Sequence, residues 1–287
     1  MSIKLAGSAA DDSVATRTSA KVGRGRTLAI GGRGGLEDWS HALEIAVEVL
    51  AILVFWEVLG LTVGRSTHIL PTPVTVGNVI WTDRSVMWGA LRFTVGEAFW
   101  GFLVGNAAAV ALGALSLLNR RLAAVVLQLG VVSYCLPIVA IGPILIILLN
   151  GSLPDEILAG IAVVFTTLVL TVEGLQSATI KQTEVILAFG GSTLQLLWKV
   201  RVRVSLPYVF RGLQIAAPAS ILGAIIGEFL SGTSGLGVVM MQAAQSLQVS
   251  QTWAAGALAT VVAGAAYAMI ATLGRIVCPW ARDLALS

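Results

Sequence analysis

A short run near the end of the chain has the spelling of a hydrolytic active site. Gly232-Thr233-Ser234-Gly235 matches the GxSG pattern of intramembrane serine proteases. A serine nucleophile needs a neighbouring histidine base, but the two histidines, His41 and His68, both precede it. They are also too far apart and too isolated to predict a metal site. Because the sequence contains no GxxxxGK(S/T) phosphate-binding loop, the chain is not expected to hydrolyse ATP itself.

Carboxylates inside apolar stretches are the next candidates for functional residues. An ionisable side chain within a membrane is energetically costly and often has a function. Glu228 ends the apolar run Ile221–Gly227, and the following segment Ser231–Thr252 contains no Lys or Arg. Two interpretations of Glu228 stay open: a hydrogen-bonded carboxylate at a helix end, or a group lining the outer part of a substrate path. Structural roles are expected for the other acidic residues of this kind, Glu44, Glu48, Glu57 and Glu97.

Two prolines predict irregular backbone within one apolar segment. Pro137 and Pro143 each remove a helical hydrogen bond, so the helix should bend or break between them. Carbonyl groups released beside Ser133 and Tyr134 could then line a polar cavity. The alternative is a packing kink without ligand contact. The candidate residues of a translocation path are Ser133, Tyr134, Pro137 and Glu228.

The elements that hold these residues are membrane-spanning helices. The chain is 56% hydrophobic and 11% charged, with a mean hydropathy of +0.89, whereas soluble domains carry about 25% charged residues. Backbone groups in a bilayer must be paired within the protein, so an all-α fold is predicted. Small residues should allow close helix contacts at Gly101/Gly105, Gly113, Gly223/Gly227 and Gly256/Gly264. The predicted spans are Ala42–Val63, Phe93–Leu118, Leu122–Leu149, Ile157–Val172, Leu213–Leu230 and Trp253–Leu273.

Basic residues predict the orientation of these six spans. Fifteen Lys and Arg residues fall on one side, six of them in the N-terminal tail, and only Arg65, Arg84 and Arg92 fall on the other. Both termini are therefore expected on the cytoplasmic side of the membrane. Residues 1–40 lack apolar periodicity and are predicted to be a disordered tail that basic residues attract to lipid.

The predicted cytoplasmic connection, residues 173–212, is too long for a passive link between packed helices. Val185-Ile186-Leu187-Ala188-Phe189 forms an apolar run, Gly190-Gly191 interrupts it, and Ser192 is suited to cap a second helix through Trp198. The pattern predicts a helix, a sharp glycine turn and another helix. Such an exposed apolar surface indicates either a protein interface or an interfacial helix on lipid headgroups.

This connection resembles the loop signature of bacterial ABC importer permeases. Glu184, Gly190 six residues later, Leu206-Pro207 and Gly212 match its spacing, although Val185 and Ile186 replace two alanines and Arg203 stands where many relatives carry a proline. Further motifs extend the resemblance over residues 43–280 to the nitrate/sulfonate/taurine-type family. They are Trp56-Glu57, Leu70-Pro71-Thr72-Pro73, Pro137, Pro143, Glu228 and Gly235-Leu236-Gly237.

The resemblance implies a six-helix, type-I ABC importer permease (MetI-like) fold, with a first helix and external linker at 41–92 and a permease core at 93–280. It implies a coupling helix that contacts a cytoplasmic ATPase subunit. The residues of that contact would be Glu184, Val185, Ile186, Phe189, Gly190, Gly191 and Ser192.

The same resemblance implies the partners: an ATPase dimer that carries ATP and Mg²⁺, a second permease copy in a homodimer, an external solute-binding protein and membrane lipid. No cofactor on this chain and no nucleic acid are expected. Related permeases serve sulfonates, taurine, nitrate or pyrimidine-type precursors, so a small solute of one of these kinds is expected. An ion-coupled secondary transporter or a channel is the alternative, but it leaves the connection at 173–212 without a role.

Overall fold

The computed structural model of the chain describes residues 34–64, 69–117, 119–135 and 137–281. Regular secondary structure in these ranges is entirely helical, as predicted. π-helical turns at Gly60–Gly64 and Leu197–Arg201 follow α1 and α8. The helices are α1 (Gly34–Leu59), α2 (Pro73–Thr82), α3 (Arg84–Leu115), α4 (Arg120–Cys135), α5 (Ile138–Leu148), α6 (Leu153–Gln176), α7 (Ile180–Ala188), α8 (Thr193–Leu196), α9 (Val202–Ser231), α10 (Leu236–Gln245) and α11 (Val249–Val277).

The count of membrane-spanning helices differs from the prediction. Four described helices are long and apolar enough to cross a bilayer, namely α3, α6, the continuous helix Thr193–Ser231 and α11. A fifth span results if α4 and α5, which meet at an angle of 89°, form one broken span. The prediction of six spans is therefore not reproduced among the described residues. The difference is at Ala42–Val63, because α1 (Gly34–Leu59) is not among the described helices that qualify as spans.

Several helix ends also differ from the predicted ends. The helix α1 begins at Gly34, so the predicted tail is shortened by residues 34–40, and its remainder, 1–33, lies outside the described residues. The fourth span is longer than Ile157–Val172 because Pro154 is suited to the first turn of α6. The fifth continues back to Thr193, with Pro207 and Pro218 inside the helix.

The third span breaks at a different place from the predicted one. The helix α4 ends at Cys135, and Pro137, in an extended conformation (φ −69°, ψ 107°), precedes the first residue of α5. Pro143 lies inside α5 without ending it. The interruption therefore lies between Cys135 and Ile138, at the first of the two prolines, rather than between the prolines.

The bundle formed from Ile52 onward is organised around α6, which packs most extensively against α9 and α3. Small residues allow α6 to pack closely against these two helices. A Cβ added to Gly223 would lie 2.7 Å from Ala159 Cα, and one added to Gly105 would lie 2.6 Å from the Gly160 carbonyl oxygen. Close contacts are confirmed in the same way at Gly101, Gly113 and Gly227.

Gly256 and Gly264, which also permit close helix approach, have no such contact within the described part of the chain. No atom lies within 4 Å of a Cβ added to Gly264, and the nearest to Gly256 is Met240 Cε at 3.7 Å. Gly264 lies on an exposed face of α11, where no described helix covers it. Small residues permit close approach, but whether a helix arrives there depends on the rest of the fold.

Two tryptophans hold the segment before α2. Trp56 Nε1 donates a hydrogen bond to the Pro71 carbonyl at 3.1 Å, and Trp253 Nε1 donates to the Ile69 carbonyl at 3.2 Å. The two indole rings lie 5.7 Å apart. Thr72 then caps α2 by accepting a hydrogen bond from the Thr75 amide, and Pro73 occupies the first turn. The Leu70–Pro73 motif therefore starts a helix and ties it to α1 and α11.

Candidate functional site

Two regions of the bundle carry the candidate residues, and they lie at opposite ends of α6 and α9. The loop end comprises Ser177–Ser192 between α6 and α8. The carboxylate end comprises the start of α6, the end of α9 and the start of α10. At each end, the local sequence determines helix caps that place the candidate side chains.

At the loop end, α7 begins and ends with well-formed caps. Thr179 and Gln182 form a capping box, in which the Thr179 hydroxyl accepts from the Gln182 amide at 3.3 Å and Gln182 Oε1 accepts from the Thr179 amide at 3.0 Å. A second capping box, formed by Ser192 and Gln195, begins α8. The predicted sequence of helix, glycine turn and helix, with Ser192 as the second cap, is confirmed.

The turn between the two helices is a Schellman motif. The Gly191 amide donates to the Ile186 carbonyl at 2.9 Å, and the Gly190 amide donates to the Leu187 carbonyl at 2.9 Å. Gly190 has φ +72°, a left-handed conformation that suits glycine because other residues carry a Cβ penalty there. A Cβ on Gly191 would lie 2.5 Å from Ile186 Cγ2. The glycine pair therefore sets the angle at which α7 leaves the bundle.

The surface of α7 is exposed and apolar. The helix has no buried residue. The Phe189 side chain, at its end, is 89% exposed, and Val185 and Leu187 are each 54% exposed. Of the predicted contact residues, Glu184, Val185, Phe189, Gly190 and Ser192 are exposed, whereas Ile186 and Gly191 are half-buried against each other. An exposed apolar surface of this kind is typical of a protein interface or of a helix lying on lipid headgroups.

The loop end is joined firmly to the bundle. Leu196 is buried, and the helix from Thr193 continues without a break through the π-helical turn to Ser231. A Cβ added to Gly174, near the end of α6, would lie 2.7 Å from Tyr208 Cβ, and one added to Gly212 would lie 3.2 Å from Thr167 Cα. The helices on either side of α7 therefore pack backbone to backbone along their length.

At the carboxylate end, three buried carboxylic side chains lie together: Glu97 on α3, Asp155 on α6 and Glu228 on α9, here called the carboxylate cluster. Glu228 and Asp155 are 0% exposed and Glu97 is 5% exposed. Glu97 interacts with Glu228, and the other charged groups acting on it, Asp155 and Glu156, are also acidic. One oxygen of each cluster residue is buried without a hydrogen-bond partner among the described residues.

The cluster holds the N-terminus of α10. The Gly237 amide donates to Glu228 Oε2 at 2.6 Å, and the Leu236 amide donates to Thr94 Oγ1 at 2.9 Å. The first amides of a helix lack partners within it and carry partial positive charge, so a carboxylate stabilises them. Ser231 Oγ donates to Asp155 Oδ2 at 3.0 Å. Side chains from two spans, α3 and α9, thus cap α10.

The Gly235-Leu236-Gly237 motif is explained by this cap. A Cβ on Gly235 would collide with the Glu228 carboxyl group, and φ at Gly235 is +111°. A Cβ on Gly237 would lie 2.6 Å from the Ile225 carbonyl oxygen. Leu236 between them is fully buried. The two glycines therefore let the carboxylate reach the helix end, and Ser234 lies in the bend before it.

The residues predicted for a translocation path are not gathered in one place. Ser133 Oγ donates to the carbonyl of Gly130 in its own helix at 2.7 Å. Tyr134 is 72% exposed and stacks on Phe165, with ring centroids 4.7 Å apart. Pro137 is exposed. Glu228 is fully buried, which in this conformation fits the hydrogen-bonded helix-end interpretation.

Sequence reasoning missed Asp155 and the role of Glu97, and it did not predict α10. The signal for the cluster is positional, because all three carboxylates lie near the same end of neighbouring spans. It also missed Asn106, whose Oδ1 accepts a hydrogen bond from Thr167 Oγ1 inside the bundle at 2.5 Å. The described residues contain no group of His, Cys, Asp and Glu that could hold a metal ion. The described arrangement is that of a helical membrane protein with buried carboxylates at one end and an exposed apolar helix at the other.

A comparison with known protein families identifies the kind of membrane protein to which this chain belongs. Residues 101–282 match the family model of the binding-protein-dependent transport system inner membrane component. The chain belongs to this family.

Individual proteins of similar sequence are also transport permeases. A probable ABC transporter permease protein of Haemophilus influenzae is 29% identical over 206 residues, which cover 71% of this chain and 84% of the relative. The formylaminopyrimidine transport permease protein ThiX of Halalkalibacterium halodurans is 26% identical over 242 residues, which cover 84% of this chain and 96% of the relative.

The fold has a solved counterpart in inward-facing conformations of the MetNI methionine ABC transporter. The matched chain has a TM-score of 0.54 and 16% identity, over 70% of this chain and 98% of that chain. The protein has the type-I ABC importer permease fold and is a multi-pass permease subunit of an ABC importer in the inner membrane. It is not an enzyme, because ATP hydrolysis belongs to a separate subunit. The family gives no support to an ion-coupled carrier or a channel.

Proposed function

We propose that the surface from Glu184 to Ser192 docks into the ATPase subunit of this importer. The observation that carries the proposal is the exposed apolar surface of α7 and of the turn that follows it, ending at Phe189. Aromatic side chains that fill a partner's pocket commonly dominate binding energy. ATP and Mg²⁺ would be bound by the ATPase subunits, and this chain needs no cofactor of its own.

The coupling would be mechanical. A force on α7 reaches α6 through Gln176 and α9 through the helix that begins at Thr193. These two helices contact each other from Gly174 against Ser205 to Gly227 against Asp155, with added Cβ atoms 3.0 Å or less from backbone atoms at both places. Close-packed helices move as a body rather than deform. Displacement of α7 should therefore reach the carboxylate end.

In the proposed assembly, two copies of this chain form a homodimer around the path, and an external solute-binding protein meets the carboxylate end. The loop end then faces the cytoplasm, as do both termini, which agrees with the fifteen basic residues on that side of the sequence. Accessibility of single cysteines placed at Leu194 and Leu247 to a membrane-impermeant thiol reagent, in the background Cys135→Ser and Cys278→Ser, tests this orientation. Labelling of the Leu194 cysteine in intact cells would contradict it.

The proposed substrate is an uncharged or weakly charged heterocycle of the pyrimidine-precursor class, as carried by the ThiX relative. The sequence has no Lys or Arg between Arg92 and Arg120, between Arg121 and Lys181, or between Arg211 and Arg275. An anion passing through such spans would lack a balancing cation. Alkanesulfonates and nitrate, which the sequence resemblance allows, are therefore disfavoured.

The docking proposal is tested with Phe189→Glu. A charge at this position cannot enter an apolar groove, so retention of the ATPase during purification and ATP-driven uptake should each fall by at least about tenfold, the effect of losing a binding hot spot. Phe189→Leu keeps an apolar side chain and should retain most of both. Leu247→Glu introduces the same charge at an 85% exposed leucine of the opposite end. ATPase retention equal to wild type in Phe189→Glu would overturn the proposal.

The substrate proposal is tested on the solute-binding protein that is captured by the assembled importer. Calorimetric titration with formylaminopyrimidine and, separately, with taurine or an alkanesulfonate compares the two classes directly. Binding of the pyrimidine and not of the sulfonates is expected. The opposite preference would contradict the charge argument while leaving the docking proposal untouched.

A further inference from the structure

We infer that a cavity between α9 and α11 at the loop end binds the phosphate headgroup of an anionic membrane phospholipid. The cavity has a volume of about 430 Å³. Arg211 of α9 and Arg275 of α11 both line it. Its position at the cytoplasmic membrane surface rests on the orientation proposed above, but its chemistry does not.

The cavity is built by one face of each helix. Pro207, Arg211 and Gln214 follow the spacing of a single face of α9, and Tyr267, Ala271 and Arg275 follow that of α11. The two helices run in opposite directions, which brings the start of α9 beside the last turn of α11. Arg275 is the basic residue of that last turn. The two arginines therefore line one space from two spans.

The charges in this space are unbalanced. None of the residues that line the cavity is acidic. Two like charges in one cavity repel each other, and an anion between them removes the repulsion. Arginine is the residue best suited to this because its planar donors match phosphate oxygens in pairs. Arg211 Cζ lies 5.9 Å from the centre of the Tyr208 ring, so the aromatic face helps to orient it.

The rest of the lining favours a lipid over free phosphate. Phe210, Ala271 and Gly274 form an apolar wall beside the arginines. A Cβ added to Gly274 would lie 3.3 Å from Phe210 Cβ and 3.4 Å from Gln214 Nε2, so α9 and α11 pack closely beside the cavity. Trp280, just beyond α11, is 41% exposed, as is common at a membrane interface. Basic pockets between spans on the cytoplasmic side recognise anionic headgroups.

The test uses the permease–ATPase complex in nanodiscs of phosphatidylcholine with phosphatidylglycerol, and native mass spectrometry to count retained phosphatidylglycerol. Arg211→Gln together with Arg275→Gln should weaken its retention about tenfold or more, since each basic residue near the surface contributes to anionic-lipid binding. The matched control, Arg201→Gln with Arg203→Gln, removes the same charge at the same end from residues that do not line the cavity. It should change retention less than twofold.

Two further experiments identify the ligand. Ala271→Leu fills the apolar part without changing charge and should also reduce phosphatidylglycerol retention. Inorganic phosphate at millimolar concentration should not protect the detergent-purified complex against thermal unfolding. The inference would be overturned if Arg211→Gln/Arg275→Gln lost no phosphatidylglycerol, or if both double variants retained it equally. Tight binding of phosphate without lipid would also overturn it. Because ATPase retention is measured on the same samples, failure of the docking proposal would be seen separately.

Discussion

Gly190 at the loop end and Gly235 at the carboxylate end both have positive φ, yet their surroundings are opposite. No atom lies within 4 Å of a Cβ added to Gly190, whereas one added to Gly235 would collide with the Glu228 carboxyl group. At the loop end, glycine serves a helix that projects from the bundle and buries no residue. At the carboxylate end, it lets a buried side chain reach a backbone amide.

The difference between the loop end and the carboxylate end shows how a helical bundle can be rigid and still respond to a partner at its surface. The carboxylate end is closed by side chains from α3, α6 and α9 that are buried and mutually in contact. The loop end offers an exposed apolar surface on α7. The backbone contacts between α6 and α9 join these ends, so under the docking proposal a partner bound at one end would act on the packing of the other.

The largest expected effect is at the carboxylate end, with Gly235→Val. The side chain would overlap the Glu228 carboxyl group and would be forced into a positive φ, which is a severe strain for a β-branched residue. Overpacking and backbone strain together should cost about 3 kcal/mol or more. Membrane abundance and the melting temperature of the purified complex report this. Gly264→Val, at an exposed glycine with nothing within 4 Å, is the matched control. Equal melting temperatures for the two variants would contradict the described packing.

A smaller effect is expected from Glu228→Ala, which leaves the Gly237 amide without its acceptor and opens a cavity. The cost should be about 2–4 kcal/mol. Glu228→Gln keeps an acceptor oxygen of similar shape, so assembly and melting temperature should stay close to wild type. If Glu228 also lines the substrate path in another conformation, uptake by the glutamine variant should change. Normal uptake at normal membrane abundance would reject that path role and leave the capping role intact.

The smallest effect on folding is expected at the loop end, with Gly190→Ala. Space is available for the methyl group, so only the left-handed conformation opposes it, at a cost of about 1–2 kcal/mol. Melting temperature should fall slightly, while the ratio of solute transported to ATP hydrolysed falls more, because the angle of α7 changes. Gly190→Asn, which tolerates positive φ better, should restore part of the coupling. Coupling ratios that follow melting temperature alone across both variants would contradict a specific role.

Much of the loop end could be predicted from the sequence because its structure is local. The apolar run before Gly190-Gly191 and the cap at Ser192 depend on hydrogen bonds between residues a few positions apart. The Thr179–Gln182 capping box is equally local. The position of the break in the third span was harder to predict, because proline disfavours helix at more than one position. The break lies at Pro137 rather than between Pro137 and Pro143.

The carboxylate end could not be predicted in the same way. Glu97, Asp155 and Glu228 are separated by more than fifty residues along the chain, and only the packing of α3, α6 and α9 brings them together. The helix α10 was missed because its N-terminus is capped by Thr94 from a distant span and by Glu228 nine residues earlier, rather than by a residue at the N-cap position.

The sequence by itself determined a helical membrane protein, the family of transport permeases and the position of the exposed helix at the loop end. Apolar length, glycine turns and capping residues act over one or two helical turns, so they can be read in order along the chain. Tertiary structure alone decided which carboxylates meet, which glycines are crowded and which basic residues share a cavity. Those contacts join distant segments, and their energies depend on what surrounds each side chain.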